Sequence, residues 1–120
     1  MKRFSLSRRE RITSTREFRL SLNKSAFYVG KSIKIGVSRN NLGYSRIGVS
    51  LRKENFKLAV TRNKLRRYIK EAFRLNKGSL SEGYDIIVMP RASAAGMNYD
   101  RLDCDFLSAA EKAGIFQKKI

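Results

Sequence analysis

Ala59-Val60-Thr61-Arg62-Asn63-Lys64-Leu65-Arg66-Arg67-Tyr68-Ile69-Lys70-Glu71-Ala72-Phe73-Arg74 reads as one helix with an apolar face and a cationic face. At about 3.6 residues per turn, Leu58, Leu65, Tyr68, Ile69, Ala72 and Phe73 fall in one stripe, with Asn63, Arg66, Arg67, Lys70 and Arg74 roughly opposite. The stripe needs a core to cover it. The other face carries positive charge that only Glu71 interrupts, whereas soluble helix faces usually mix signs, so the imbalance points to a polyanion. Arg62 lies nearer the apolar edge, where its stem can cover the core.

The flanks of this helix set the architecture. Its start falls between Asn55 and Thr61, and Gly78 is placed to stop it in a left-handed cap. Upstream, Ile33, Ile35 and Val37 alternate with Ser32, Lys34, Gly36 and Ser38. Ile47, Val49 and Leu51 likewise alternate with Arg46, Gly48, Ser50 and Arg52, the period of strands wet on one side. The turn-rich run 39–45 between them predicts an antiparallel hairpin. Downstream, Ile86-Ile87-Val88-Met89 is apolar on consecutive positions, as in a strand covered on both faces, and Pro90 ends its ladder.

Strand, helix and strand therefore form a crossover. Ser14-Thr15-Arg16-Glu17 matches a capping box and opens a first helix to about Asn23, with Phe18 and Leu22 on one face. Tyr99, Leu102, Phe106, Ala109 and Ala113 share the face of a last helix that starts near Asn98 and closes at Gly114. The predicted fold is an α+β sandwich in the order α-β-β-α-β-α. Its 120 residues fit a single domain, with 1–12 and 115–120 expected to be flexible.

Lys and Arg number 27 against 10 Asp and Glu, a net charge of +17, which opposes compaction unless an anion is near. Nucleic acid fits this best. A membrane partner would need a polybasic tail or a helix whose apolar face is free, and the apolar run 86–89 is far too short to span a bilayer. No apolar run of signal-peptide length follows Met1-Lys2-Arg3, so a cytoplasmic location is expected. Cys104 is the lone cysteine and there is no histidine, which excludes an intrachain disulfide, a Cys/His zinc site and a histidine proton shuttle. Of the acidic group Asp100, Asp103 and Asp105, Asp100 and Asp103 fall in the first turns of a helix, where the dipole favours negative charge, which explains them better than a metal does.

Several segments together resemble the protein subunit of bacterial ribonuclease P, the ribonucleoprotein that trims the 5′ leader from precursor tRNA. They are the core 59–67, its continuation Glu71-Ala72-Phe73-Arg74, the upstream Arg46-Ile47-Gly48-Val49-Ser50, the early Arg16-Glu17-Phe18 and the late Asp85-Ile86-Ile87-Val88. Three departures accompany the match. Lys64 replaces an arginine of the usual motif, keeping charge but losing the planar fork. The approach to the helix, 53–60, lacks the family's glycine, and Leu22 stands where many members carry a second aromatic residue.

The resemblance implies a sandwich similar to a domain of a small-subunit ribosomal protein, with a left-handed crossover against the general rule. It implies that Lys53, Arg62, Asn63, Lys64, Arg66, Arg67, Lys70 and Arg74 bind a catalytic RNA. A cleft of Phe18, Leu22, Tyr28, Lys34, Gly36, Ser38, Arg46, Gly48, Ser50 and Arg52 would take the leader of precursor tRNA. It further implies one protein per RNA, with the Mg²⁺ of the holoenzyme held mainly by RNA, none tightly by the protein, and no catalytic residue on the polypeptide. A ribosomal or other structural RNA-binding protein is the alternative that composition alone would equally allow.

Overall fold

The computed structural model describes residues 7–116. The first helix, α1 (Thr15–Lys24), begins where the capping pattern places it, with the Ser14 hydroxyl accepting the Glu17 N–H at 3.4 Å. The box is one-sided, because the Glu17 carboxylate turns to Arg46 instead. β1 (Ala26–Val29) and β2 (Ile33–Arg39) form an antiparallel hairpin in which Phe27 faces Gly36 and Val29 faces Lys34. β1 was not expected; its run of apolar and aromatic residues has no period of two to read.

The predicted pairing of 33–38 with the 46–52 strand is corrected. β3 (Arg46–Val49) is separated from β2 by β4 (Tyr84–Pro90), and the sheet order is β1-β2-β4-β3. β4 runs antiparallel to β2 and parallel to β3. Its consecutive apolar residues Ile86, Ile87 and Val88 are all fully buried, so the centre of the sheet is where they remove the most apolar surface from water. Asn41 and Gly43 do take positive φ, 59° and 77°, but they bend a connection that passes over the end of β4 rather than a tight hairpin. The observed order is α-β-β-β-α-β-α.

The crossover helix, α2 (Ala59–Asn76), buries Leu65, Ile69, Ala72 and Phe73 against the sheet. Tyr68 is half-buried and meets Tyr99 edge-on at 5.7 Å. Leu58, assigned to the apolar stripe, is the residue just before the first turn and is 69% exposed. Gly78 forms no left-handed cap. The Asn76 side chain closes this end instead, donating to the Ala72 carbonyl at 2.8 Å and to Asp103 at 2.9 Å, and the chain continues in a 3-10 turn, Lys77–Ser79.

α3 (Tyr99–Lys112) is capped by Asn98 and closes at Gly114, φ 77°, as predicted. With α2 it covers one face of the sheet through Leu102, Phe106, Ala109 and Ala110. α1 lies against β2 and β4 on the other face. Neither long strand face is therefore simply wet. Within the segments expected to be flexible, Ile12 and Ile115 are buried while Ser7, Arg8 and Arg9 are exposed. Ile12 donates to the Ile47 carbonyl at 2.9 Å and Arg11 bridges Ile47, covering the outer edge of β3. Ile115 is buried and Phe116 bridges Leu80. Residues 1–6 and 117–120 lie outside the described residues.

Candidate nucleic-acid interface

α2 presents Asn63, Arg66, Arg67, Lys70, Glu71 and Arg74 around one shallow depression of about 350 Å³. They recur at spacings of three and four, so one helical face gathers them. Arg74 engages Glu71 through two hydrogen bonds, 2.9 Å and 2.7 Å. That pair roughly neutralises itself and leaves Arg66, Arg67 and Lys70 to set the sign of the face. Arg66 donates to Asn63 Oδ1 at 3.2 Å, and the Arg67 guanidinium lies 5.6 Å from the Tyr68 ring centroid.

Lys70 shows how crowded this face is. Burial, then the charges of Arg11 and Arg66, hold its ammonium below the ordinary lysine range. Arg11 reaches the helix because its segment is stitched to the edge of β3. Nothing in its local sequence marks it for this site.

Arg62 has a different role from its neighbours. Its Nη1 donates to the carbonyls of Phe56, at 2.7 Å, and Lys57, at 3.1 Å. Phe56 is 2% exposed, so Arg62 fastens the approach loop to the helix while Phe56 anchors it in the core. Lys53 is exposed in the turn before that loop, and neither it nor the half-buried Lys64 lines the depression.

On the α1 side of the sheet, the register places Phe27, Gly36, Ile87 and Gly48 in one row across the strands. Both glycines are covered by rings. A Cβ on Gly48 would lie 3.0 Å from the Phe18 ring, and one on Gly36 would lie 2.9 Å from that of Phe27. Gly36, Ser38 and Gly48, predicted as an open floor, are thus buried beneath ring and helix. Phe18 and Leu22 are half-buried.

Two further cleft assignments are corrected. Tyr28 faces Ile35 across the hairpin and packs against the core on the opposite side of the sheet. Arg46 is only 14% exposed and grips Asp85 with two hydrogen bonds, 2.8 Å and 2.7 Å, so its charge is spent inside the fold. Asp85 also accepts from Asn40, at 2.8 Å, and from Ser21. Burial alone would raise its pKa; the hydrogen bonds from Arg46, Ser21 and Asn40 and the Arg46 charge bring it below the usual aspartate value.

What stays open is the next part of the same face. Lys34, Ser50 and Arg52, all predicted, meet Asn55, Met89, Pro90, Arg91 and Ala92 around a cavity of about 460 Å³. No acidic residue lines it, although Glu54 pairs with Arg52 at 3.5 Å on the outside. The sequence reading missed Arg91, which follows a strand-ending proline, and Phe27, whose face follows from the unexpected β1.

Among the described residues, no group of three or more His, Cys, Asp or Glu side chains is placed to hold a metal. Asp103 accepts from Asn76 and Asp105 from Ser32, so the acidic run of α3 is divided between different neighbours. No described helix is long and apolar enough to cross a membrane.

The family model described as Ribonuclease P matches residues 6–114. The ribonuclease P protein component of Thermotoga maritima is 35% identical over 116 residues, covering 97% of this chain and 96% of that protein. That of Natranaerobius thermophilus is 31% identical over 104 residues, 87% and 90% of the two chains. Among solved structures, the RNase P protein of Staphylococcus aureus superposes with a TM-score of 0.81 at 26% identity, covering 90% of this chain and 98% of the other. The T. maritima protein gives 0.78 at 27%, covering 86% and 96%.

Proposed function

The chain belongs to the ribonuclease P protein family, and from that membership we propose that it binds a catalytic RNA through α2 and the 5′ leader of precursor tRNA through the open groove beside β2. As a ribonuclease P protein component it is part of a tRNA-processing ribonuclease and has an RNA subunit as partner.

The observation that carries the docking face is the α2 depression. Its only carboxylate, Glu71, is engaged by Arg74, leaving Arg66, Arg67 and Lys70 along about one helical turn. Such a ridge can follow RNA phosphates and release their counterions, giving affinity that falls with salt. Arg62 supports this face by fixing its approach loop. The groove supports the second contact: Lys34, Arg52 and Arg91 can hold a phosphate backbone above a floor that includes Met89 and Pro90.

In this reading the protein supplies charge and substrate grip, while the RNA holds the Mg²⁺ ions and the attacking water, with one protein on each RNA in the cytoplasm. The test is reconstitution with the catalytic RNA of the same organism and a precursor tRNA at low Mg²⁺, mapping the new 5′ end. Protein-dependent cleavage at the mature 5′ end is expected from the two components together and not from the polypeptide alone. RNA binding without any gain in cleavage would favour a purely structural RNA-binding role.

A further inference from the structure

Phe27 is the least explained residue on the α1 side of the sheet. It is 44% exposed on an edge strand, yet its ring lies over Gly36, and the Lys34 ammonium sits 4.8 Å from its centroid. Lys34 also lines the open groove, so ring and groove are contiguous. Val29, the next residue of β1 on this face, is 52% exposed and extends the apolar surface.

We propose that Phe27 is the stacking platform for one unpaired base of the leader, and that Lys34 is a place-holder that exchanges the ring for a phosphate when RNA arrives. The inference rests on the leader-groove reading above. An aromatic ring that reaches over a glycine and keeps 44% of its surface exposed suits a base because every base has a π-face. A cation over an exposed ring is held more weakly than a stacked base, so the base displaces it. The released ammonium stays beside the groove, where the phosphate next to that base would lie between it and Arg52 or Arg91. Phe18 also lies over a glycine, Gly48, but it is half-buried where Phe27 is exposed, so Phe27 offers the larger open ring surface.

The test compares holoenzyme affinity for precursor tRNAs with a long leader and with a one-nucleotide leader. Phe27→Ala should weaken the long-leader substrate about five-fold or more and leave the short one unchanged. Phe27→Leu keeps the apolar cover on Gly36 but cannot stack, and should behave like Ala; Phe27→Trp should behave like the wild type. Because the chain contains no tryptophan, Phe27→Trp also supplies a single fluorophore that long-leader RNA should quench and short-leader RNA should not. Equal affinity of the wild type for both substrates would overturn the leader groove itself. If the wild type discriminates and Phe27→Leu discriminates as well, the groove stands and the role of Phe27 is refuted.

Discussion

Arg46 and Asp85 face each other on the parallel strands β3 and β4 and close a two-toothed ion pair, with Nε–Oδ1 2.8 Å and Nη2–Oδ2 2.7 Å. Glu17 of α1 joins on the Arg46 side and Ser21 on the Asp85 side, so the pair also seats α1 on the sheet. Two charges taken from water in this way need every remaining partner satisfied, and Asn40 supplies another. The network fixes the position of α1 on the sheet.

Removing one partner leaves the other charge buried. Arg46→Ala is expected to cost about 3–5 kcal/mol in urea unfolding. The acid limb follows from Asp85, whose folded-state pKa lies below its unfolded value. Its contribution is complete above about pH 4, the unfolded aspartate value, and is lost as pH falls through the lowered folded value. Asp85→Asn should therefore destabilise at neutral pH and flatten the loss of stability on acidification, measured as urea midpoints from pH 7 down to 2.

Gly36 and Gly48 are where two rings meet the sheet. Gly36→Ala puts a methyl group 2.9 Å from the Phe27 ring and Gly48→Ala puts one 3.0 Å from that of Phe18. Each should lose about 1–3 kcal/mol of stability through overpacking. Both variants should keep their affinity for the catalytic RNA, because α2 lies on the opposite face; a filter-binding titration checks this.

Arg62→Ala should lower the stability of the free protein by about 1.5–3 kcal/mol, since it abandons the Phe56 and Lys57 carbonyls. Urea unfolding without RNA distinguishes this from a phosphate-contact role, which would leave the free protein's stability unchanged.

Lys70 is held below the ordinary lysine range by burial and by Arg11 and Arg66, so the unfolded chain binds its proton more tightly than the folded one. Stability should rise with pH between those two values. Lys70→Gln should raise the Tm of the free protein while weakening its binding to the catalytic RNA, a pair of opposite changes that calorimetry and titration report separately.

α2 was legible because its apolar and cationic residues keep a helical period over many turns, and both signals are local. The caps at Ser14, Asn98 and Gly114 were legible for the same reason. The strand order was not. The positive φ of Asn41 and Gly43 is a local property, but which strand receives the chain after them depends on β4, about forty residues on, burying its apolar run at the centre. Arg46 read as a rim cation because its partner Asp85 lies 39 residues away. Tyr28 was placed in the cleft and Phe27 was not for one reason: adjacent residues of a strand point to opposite faces, and without β1 there was no register to assign them.

The most direct test of the α2 docking face is the salt dependence of binding to the catalytic RNA, measured for the wild type and for the Arg66→Ala, Arg67→Ala double variant. Two lost phosphate contacts should reduce the slope of log affinity against log salt by about 2, with weaker binding at low salt. An unchanged slope in a folded double variant would contradict the account, because the cationic face of α2 would then not be where the RNA sits.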